Sequence, residues 1–134
     1  MAIKRMTKAD RPQSLGTYNP VGHVLLAFPD DATARQAMQA LYDAGFDADD
    51  VLFYDHDEER EQMDAMLPRA SQLAGFGYEV TLMRRYQQLA SEGCGWLLVY
   101  APDGPHTDRA MDIARHLGAR SAVKYHWLVV EDLL

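Results

Sequence analysis

Apolar residues in this chain fall into two kinds of run. Continuous runs, Val24-Leu25-Leu26-Ala27-Phe28 and Trp96-Leu97-Leu98-Val99-Tyr100, have the length and composition of strands buried on both faces. Spaced runs, Ala34-Ala37-Met38-Leu41 and Ala110-Ile113-Ala114-Leu117, return every three or four residues and predict helices with one apolar stripe. Val51-Leu52-Phe53-Tyr54 and Ala122 to Val130 read as two further strands. The order strand, helix, strand therefore occurs twice, over residues 22–54 and 95–130.

The two halves match in detail. Leu26-Ala27-Phe28-Pro29-Asp30 recurs as Leu98-Val99-Tyr100-Ala101-Pro102-Asp103, Arg35-Gln36-Ala37-Met38 as Asp108-Arg109-Ala110-Met111, and Gly45 as Gly118. Asp30 or Asp31 can cap the first helix; Asp103, Thr107 or Asp108 can cap the second, each by accepting from free amides of the first turn. Gly45 and Gly118 supply helix-closing turns.

Two such units suit an α+β domain of the ferredoxin-like βαββαβ kind, with both helices on one face of an antiparallel sheet and a helical insert between the halves. A parallel doubly wound sheet ranks second, because no glycine-rich turn follows the first strand. Residues 21–134 then form one domain. Residues 1–20, with Pro12, Gly16 and Pro20 and no apolar period, read as a flexible arm that is mobile or packs only against a partner.

The insert, residues 55–94, is foreseen by neither half. Its acidic start, Asp55 to Arg60, leads into a helix carrying Met63, Met66 and Leu67 that Pro68 limits; Gly75 and Gly77 mark a break. Tyr78 to Ser91 forms a second helix with Val80, Met83, Tyr86 and Leu89 inward. Because the central strands are apolar on both faces, something must cover the face that the two repeat helices leave open. A second subunit or the insert itself fits better than a ligand cavity.

A length of 134 residues, 48% hydrophobic and 25% charged, is ordinary for one globular domain. The formal net charge of -7 argues against nucleic acid, whose phosphates call for a basic stripe. Cys94 is the lone cysteine, so no intramolecular disulfide or cysteine cluster forms. The basic start (Lys4, Arg5, Lys8, Arg11) lacks the apolar run of a signal peptide, and no stretch is long enough to span a membrane. A cytoplasmic location without membrane contact is the expectation.

Chemistry is sparse. Asp55-His56-Asp57-Glu58-Glu59 matches no metal motif and reads as a solvated helix start, favoured by the helix dipole. No GxSxG, GxxxxGK[ST] or GxGxxG pattern occurs. No catalytic residue, metal site or cofactor is therefore assigned. His106, in the loop before the second repeat helix, sits where free amides can hold an anion, although capping explains it as well. His126 falls between Tyr125 and Trp127 on the last strand, and alternation sends it to the face opposite those rings. With Trp96 and Tyr100 on the third strand, these six residues (His126, Tyr125, Trp127, Trp96, Tyr100 and His106) are the candidates for ligand binding.

Laid out this way, the chain resembles the small bacterial general-stress (heat-induced stress) protein domain family. The resemblance rests on Val24-Leu25-Leu26-Ala27-Phe28 with its acidic loop, Ala37 to Leu41, Ala44-Gly45-Phe46 ahead of Asp50-Val51, and Gly77-Tyr78-Glu79 with Tyr86. It continues through Gly93-Cys94-Gly95, His116-Leu117-Gly118-Ala119 and Tyr125-His126-Trp127. It implies a stress-related role and offers no catalytic residues. The expected function is a non-enzymatic stress-related or regulatory domain acting through protein association, as a homodimer or with another protein partner. The alternative is a small-molecule or metal-sensing domain with a pocket between sheet and insert helices, and an enzyme of dimeric α+β barrel type ranks third.

Overall fold

The computed structural model of the chain describes residues 13–14, 17–18, 20–71, 77–126 and 129–134. The arm carries two short paired strands, β1 (Gln13–Ser14) and β2 (Thr17–Tyr18). The first half follows as β3 (His23–Phe28), α1 (Asp31–Asp43), a short 3-10 helix at Ala48–Asp50, and β4 (Val51–Tyr54). The insert is α2 (His56–Ser71) and α3 (Gly77–Ser91). The second half is β5 (Gly95–Tyr100), α4 (Gly104–His116) and β6 (Ser121–Tyr125), followed by β7 (Val130–Asp132).

The longer strands form one antiparallel sheet in the order β4-β5-β3-β6-β7. The apolar cores of β3 and β5 lie side by side at its centre, Leu25 opposite Leu98 and Leu26 opposite Leu97. Both strands are buried because helices cover both faces. Over one face, α1 and α4 bury Ala34, Ala37, Leu41, Ala110, Met111 and Ala114 against Val24, Leu26, Phe28, Leu97, Val99 and Ala122. Over the other, α2 and α3 bury Met63, Met66, Met83, Tyr86 and Leu89 against Leu25, Ala27, Trp96, Leu98, Val123 and Tyr125. At roughly 1.5–3 kcal/mol for each large side chain removed from water, cover on the second face is a major stabilising contribution.

The repeated helices begin and end alike. Thr33 donates its backbone N–H to the Asp30 carboxylate at 2.7 Å, and His106 donates its own to Asp103 at 2.9 Å. Both helices close on glycines in the left-handed region, Gly45 at φ 102° and Gly118 at φ 73°, a conformation that a Cβ resists.

Three expectations are corrected. The last strand does not run to Val130: β6 stops at Tyr125, the chain turns with the His126 N–H donating to Val129 O at 2.8 Å, and β7 returns alongside it. An apolar run concealed the turn because no glycine or proline marks it. Pro68 does not limit α2, which continues to Ser71; the ring lies on the exposed side, and the helix forgoes the hydrogen bond that a proline cannot donate. The arm does not pack only against a partner, since β2 lies against α2 and α3 of its own chain.

Candidate functional site under the helical insert

The acidic start of α2 separates into parts with different tasks. Asp55 and Glu58 form a reciprocal capping box: Glu58 N–H donates to the Asp55 carboxylate at 2.8 Å, and Asp55 N–H donates to Glu58 at 3.1 Å. His56 is held by Asp31 from α1, through its backbone N–H at 3.0 Å and its ring Nδ1 at 2.6 Å. That carboxylate hydrogen bond raises the His56 pKa. Asp57 pairs with Arg60 at 3.2 Å on the exposed side.

Glu59 is the exception to a solvated helix start. It shares a helical face with Met63 and Met66, four and seven residues on, and that face turns toward the sheet. Its exposure is 0%, and among the described residues neither carboxyl oxygen has a hydrogen-bond partner. Burial, and secondarily the charge of Glu58, pushes its pKa up to about 8. Near neutral pH it is a carboxylic acid, able to donate a hydrogen bond into apolar surroundings.

A second unpartnered polar group belongs to the same covered face. Trp96, 0% exposed on β5, leaves its Nε1–H without an acceptor among the described residues. The ring meets Tyr86 of α3 edge-on at 5.4 Å between centroids. Tyr86 in turn shares a 2.6 Å hydroxyl-hydroxyl hydrogen bond with Tyr125 of β6. Native interiors pair nearly all their polar groups, so a carboxyl and an indole N–H both left over in one layer call for a functional explanation. Around them Met63, Met66 and Met83 supply unbranched, polarizable side chains that adapt to irregular shapes.

The structure thus brings together Trp96 and Tyr125, linked through Tyr86. Tyr100 is on the same face of the sheet, its ring 5.2 Å from buried His23. The pKa of His23 is lowered, first of all by burial, and its Nδ1 lies 3.0 Å from Val21 O. His126 and His106 lie elsewhere. His126 is in the turn after β6 rather than on a strand, with Nε2 3.0 Å from Glu131. It lines a cleft of about 370 Å³ beside the start of α4. His106, in the first turn of α4, holds Asp103 at 2.6 Å through Nδ1 and presents its ring to Phe46. Trp127 lies outside the described residues.

Glu59 and His23 are the members of this layer that the sequence reading missed. For Glu59 the signal was its spacing from Met63 and Met66. Among the described residues no group of three or more His, Cys, Asp and Glu side chains is arranged to hold a metal ion. Nor is any described helix long and apolar enough to cross a membrane. Comparison of the chain with protein-family models, with curated proteins and with solved structures finds no match.

Proposed function

We propose that this chain is a ligand-sensing domain that takes a small, uncharged, largely apolar molecule bearing a hydrogen-bond acceptor between its sheet and the α2–α3 insert. The observation that carries this reading is Glu59, a fully buried carboxyl with no partner among the described residues, in the same covered layer as Trp96 Nε1, which has none there either. Both groups are donors near neutral pH, so the complementary ligand presents acceptors, such as a carbonyl oxygen, within an apolar frame. A ligand there separates or tightens α2 and α3 against the sheet, and a protein partner reads the change on their outer surface.

The remaining expectations join this proposal. The strand order β4-β5-β3-β6, with α1 and α4 packed on one face, supports a ferredoxin-like reading of the fold. A stress-related setting in a bacterium rests on the family resemblance, and a cytoplasmic one on the lone cysteine. Association as a homodimer now needs another surface, because the apolar face that suggested it is covered by the chain's own α2 and α3.

Thermal unfolding with a panel of cyclic ketones, each beside its parent hydrocarbon, tests the proposal. A fitting ketone at a hundred times its Kd stabilises the fold by about 2.7 kcal/mol, a shift of several degrees. The shift weakens as pH rises through about 8, where Glu59 loses its proton, and is absent in Glu59→Leu. Equal shifts from ketone and hydrocarbon, or an unchanged response in Glu59→Leu, overturn it.

A further inference from the structure

Lys124 is the one lysine outside the arm. The others are Lys4 and Lys8, and every remaining strongly basic side chain from residue 20 onward is arginine. Arginine stays charged in any setting, whereas a lysine amine gives up its proton when water is removed from it. The position of this lysine is of that kind. It sits on β6, 7% exposed, and its Nζ donates to Ala101 O at 2.7 Å and to Thr107 Oγ1. Thr107 spends its own hydroxyl hydrogen on Asp103 O at 2.8 Å, so toward Lys124 it acts as an acceptor.

Both partners are neutral, and no carboxylate among the described residues lies within ion-pair distance of the amine. Burial holds its pKa below the usual lysine range, against the opposing charges of Asp103, Glu131 and Asp108. A neutral amine has two N–H bonds, and here Ala101 and Thr107 take both. The lone pair is the fourth tetrahedral position of that neutral nitrogen, left over once both hydrogens are engaged. Lys124 lines the cleft of about 370 Å³ between the turn after β6 and the first turn of α4, with Thr107, Asp103, Asp108, His126 and Glu131.

We propose that Lys124 is a carbonyl-reactive amine, its Nζ condensing with a small uncharged aldehyde or ketone in this cleft to form an imine. The nitrogen lone pair makes the C–N bond as the carbonyl electron pair moves onto oxygen, which takes up a proton. The resulting carbinolamine then loses water, so that amine and carbonyl become imine and one water with no oxidation or reduction. The His126–Glu131 pair at 3.0 Å places an imidazole in the cleft for these proton movements. The carboxylates of Asp103, Asp108 and Glu131 disfavour anionic carbonyl compounds. This site is separate from the one beneath the insert, and neither proposal depends on the other.

The full chain, incubated with propanal and cyanoborohydride near neutral pH and mapped by peptide mass spectrometry, tests it. Lys124 is expected to be alkylated severalfold faster than Lys4 and Lys8, since a pKa held down by burial raises the reactive neutral fraction near neutral pH. Its rate reaches a plateau at lower pH than theirs, glyoxylate reacts more slowly than propanal, and Lys124→Arg abolishes the adduct. In urea the advantage of Lys124 disappears, a control that needs no folded variant. If Lys124 reacts no faster than Lys4 and Lys8 in the folded chain, or reacts only once unfolded, it is a structural lysine and the proposal fails.

Discussion

The two faces of the central sheet are covered by equal numbers of helices but built to different rules. Under α1 and α4, which come from the repeated halves, the packing is almost wholly apolar. The buried polar groups on that side, Lys124 and Thr107, hydrogen-bond to each other and to backbone. Under α2 and α3, Glu59 and Trp96 bury polar atoms with no hydrogen-bond partner among the described residues, and methionines fill much of the space. Leaving one buried polar group unsatisfied costs about 1–3 kcal/mol. The repeat face thus satisfies its buried polar groups, while the insert face keeps two donors unsatisfied in a methionine-rich interior, the feature on which the proposed ligand site rests.

Adjacent leucines on β5 give the most forceful way to break this comparison. Leu97 points to α1 and α4 and Leu98 to α2 and α3, and both are fully buried. Truncation of either to alanine is expected to cost about 2–5 kcal/mol. The distribution of damage separates them. In Leu97→Ala, hydrogen exchange should quicken throughout the sheet and its helices together; in Leu98→Ala, the amides of α2 and α3 should open first while α1 and α4 keep their protection. Identical exchange maps would mean that the two faces form one cooperative unit.

Glu59 sharpens the comparison through pH. Its carboxyl ionises near pH 4.5 when unfolded and near pH 8 in the fold. Below the first value it is protonated in both states and adds no pH dependence to stability. Between the two values the unfolded chain has released a proton that the native chain keeps, so this group lowers stability by about 1.4 kcal/mol for each unit of rising pH. Above the second value the loss is complete. Urea unfolding of the wild type between pH 5 and pH 8 should therefore show a decline that Glu59→Gln largely removes, and Glu59→Met should exceed the wild type in stability at pH 8. A wild-type profile as flat as that of Glu59→Gln would place the carboxyl in water and remove the polar layer with it.

The same division decides how much could be read in the sequence. The repeat face was legible because period, cap and closing glycine agree: Ala34, Ala37 and Leu41 lie inward, Asp30 and Asp103 cap, and Gly45 and Gly118 close. The double apolarity of β3 and β5 correctly required cover on both sides, but no local signal could say that the insert provides it. Trp96, Tyr100 and Tyr125 were recognised as candidates from their bulk on strands. Glu59 escaped because four acidic neighbours made it look solvated, although one turn of helix is enough to face a carboxylate inward. His126 was misplaced for a related reason: Tyr125-His126-Trp127 has strand composition, and the reversal there is made by a backbone hydrogen bond to Val129 that composition does not encode.

The smallest effect concerns how α3 is fastened to the sheet. The hydroxyls of Tyr86 and Tyr125 meet at 2.6 Å, the first on α3 and the second on β6, so their bond crosses from the insert to the sheet. Either tyrosine changed to phenylalanine keeps its ring and loses this bond, and each variant should be less stable by about 1 kcal/mol. The double variant should cost less than the sum of the two, because the bond can be lost only once, leaving a coupling energy on the order of 1 kcal/mol. Since the ring packing of Tyr86 on Trp96 at 5.4 Å survives in all three, the coupling isolates the hydroxyl contact from the apolar contacts around it. Strictly additive costs would mean that the hydroxyls do not tie insert to sheet, and α3 would then be held by its apolar face alone, leaving the insert layer freer to open than the geometry indicates.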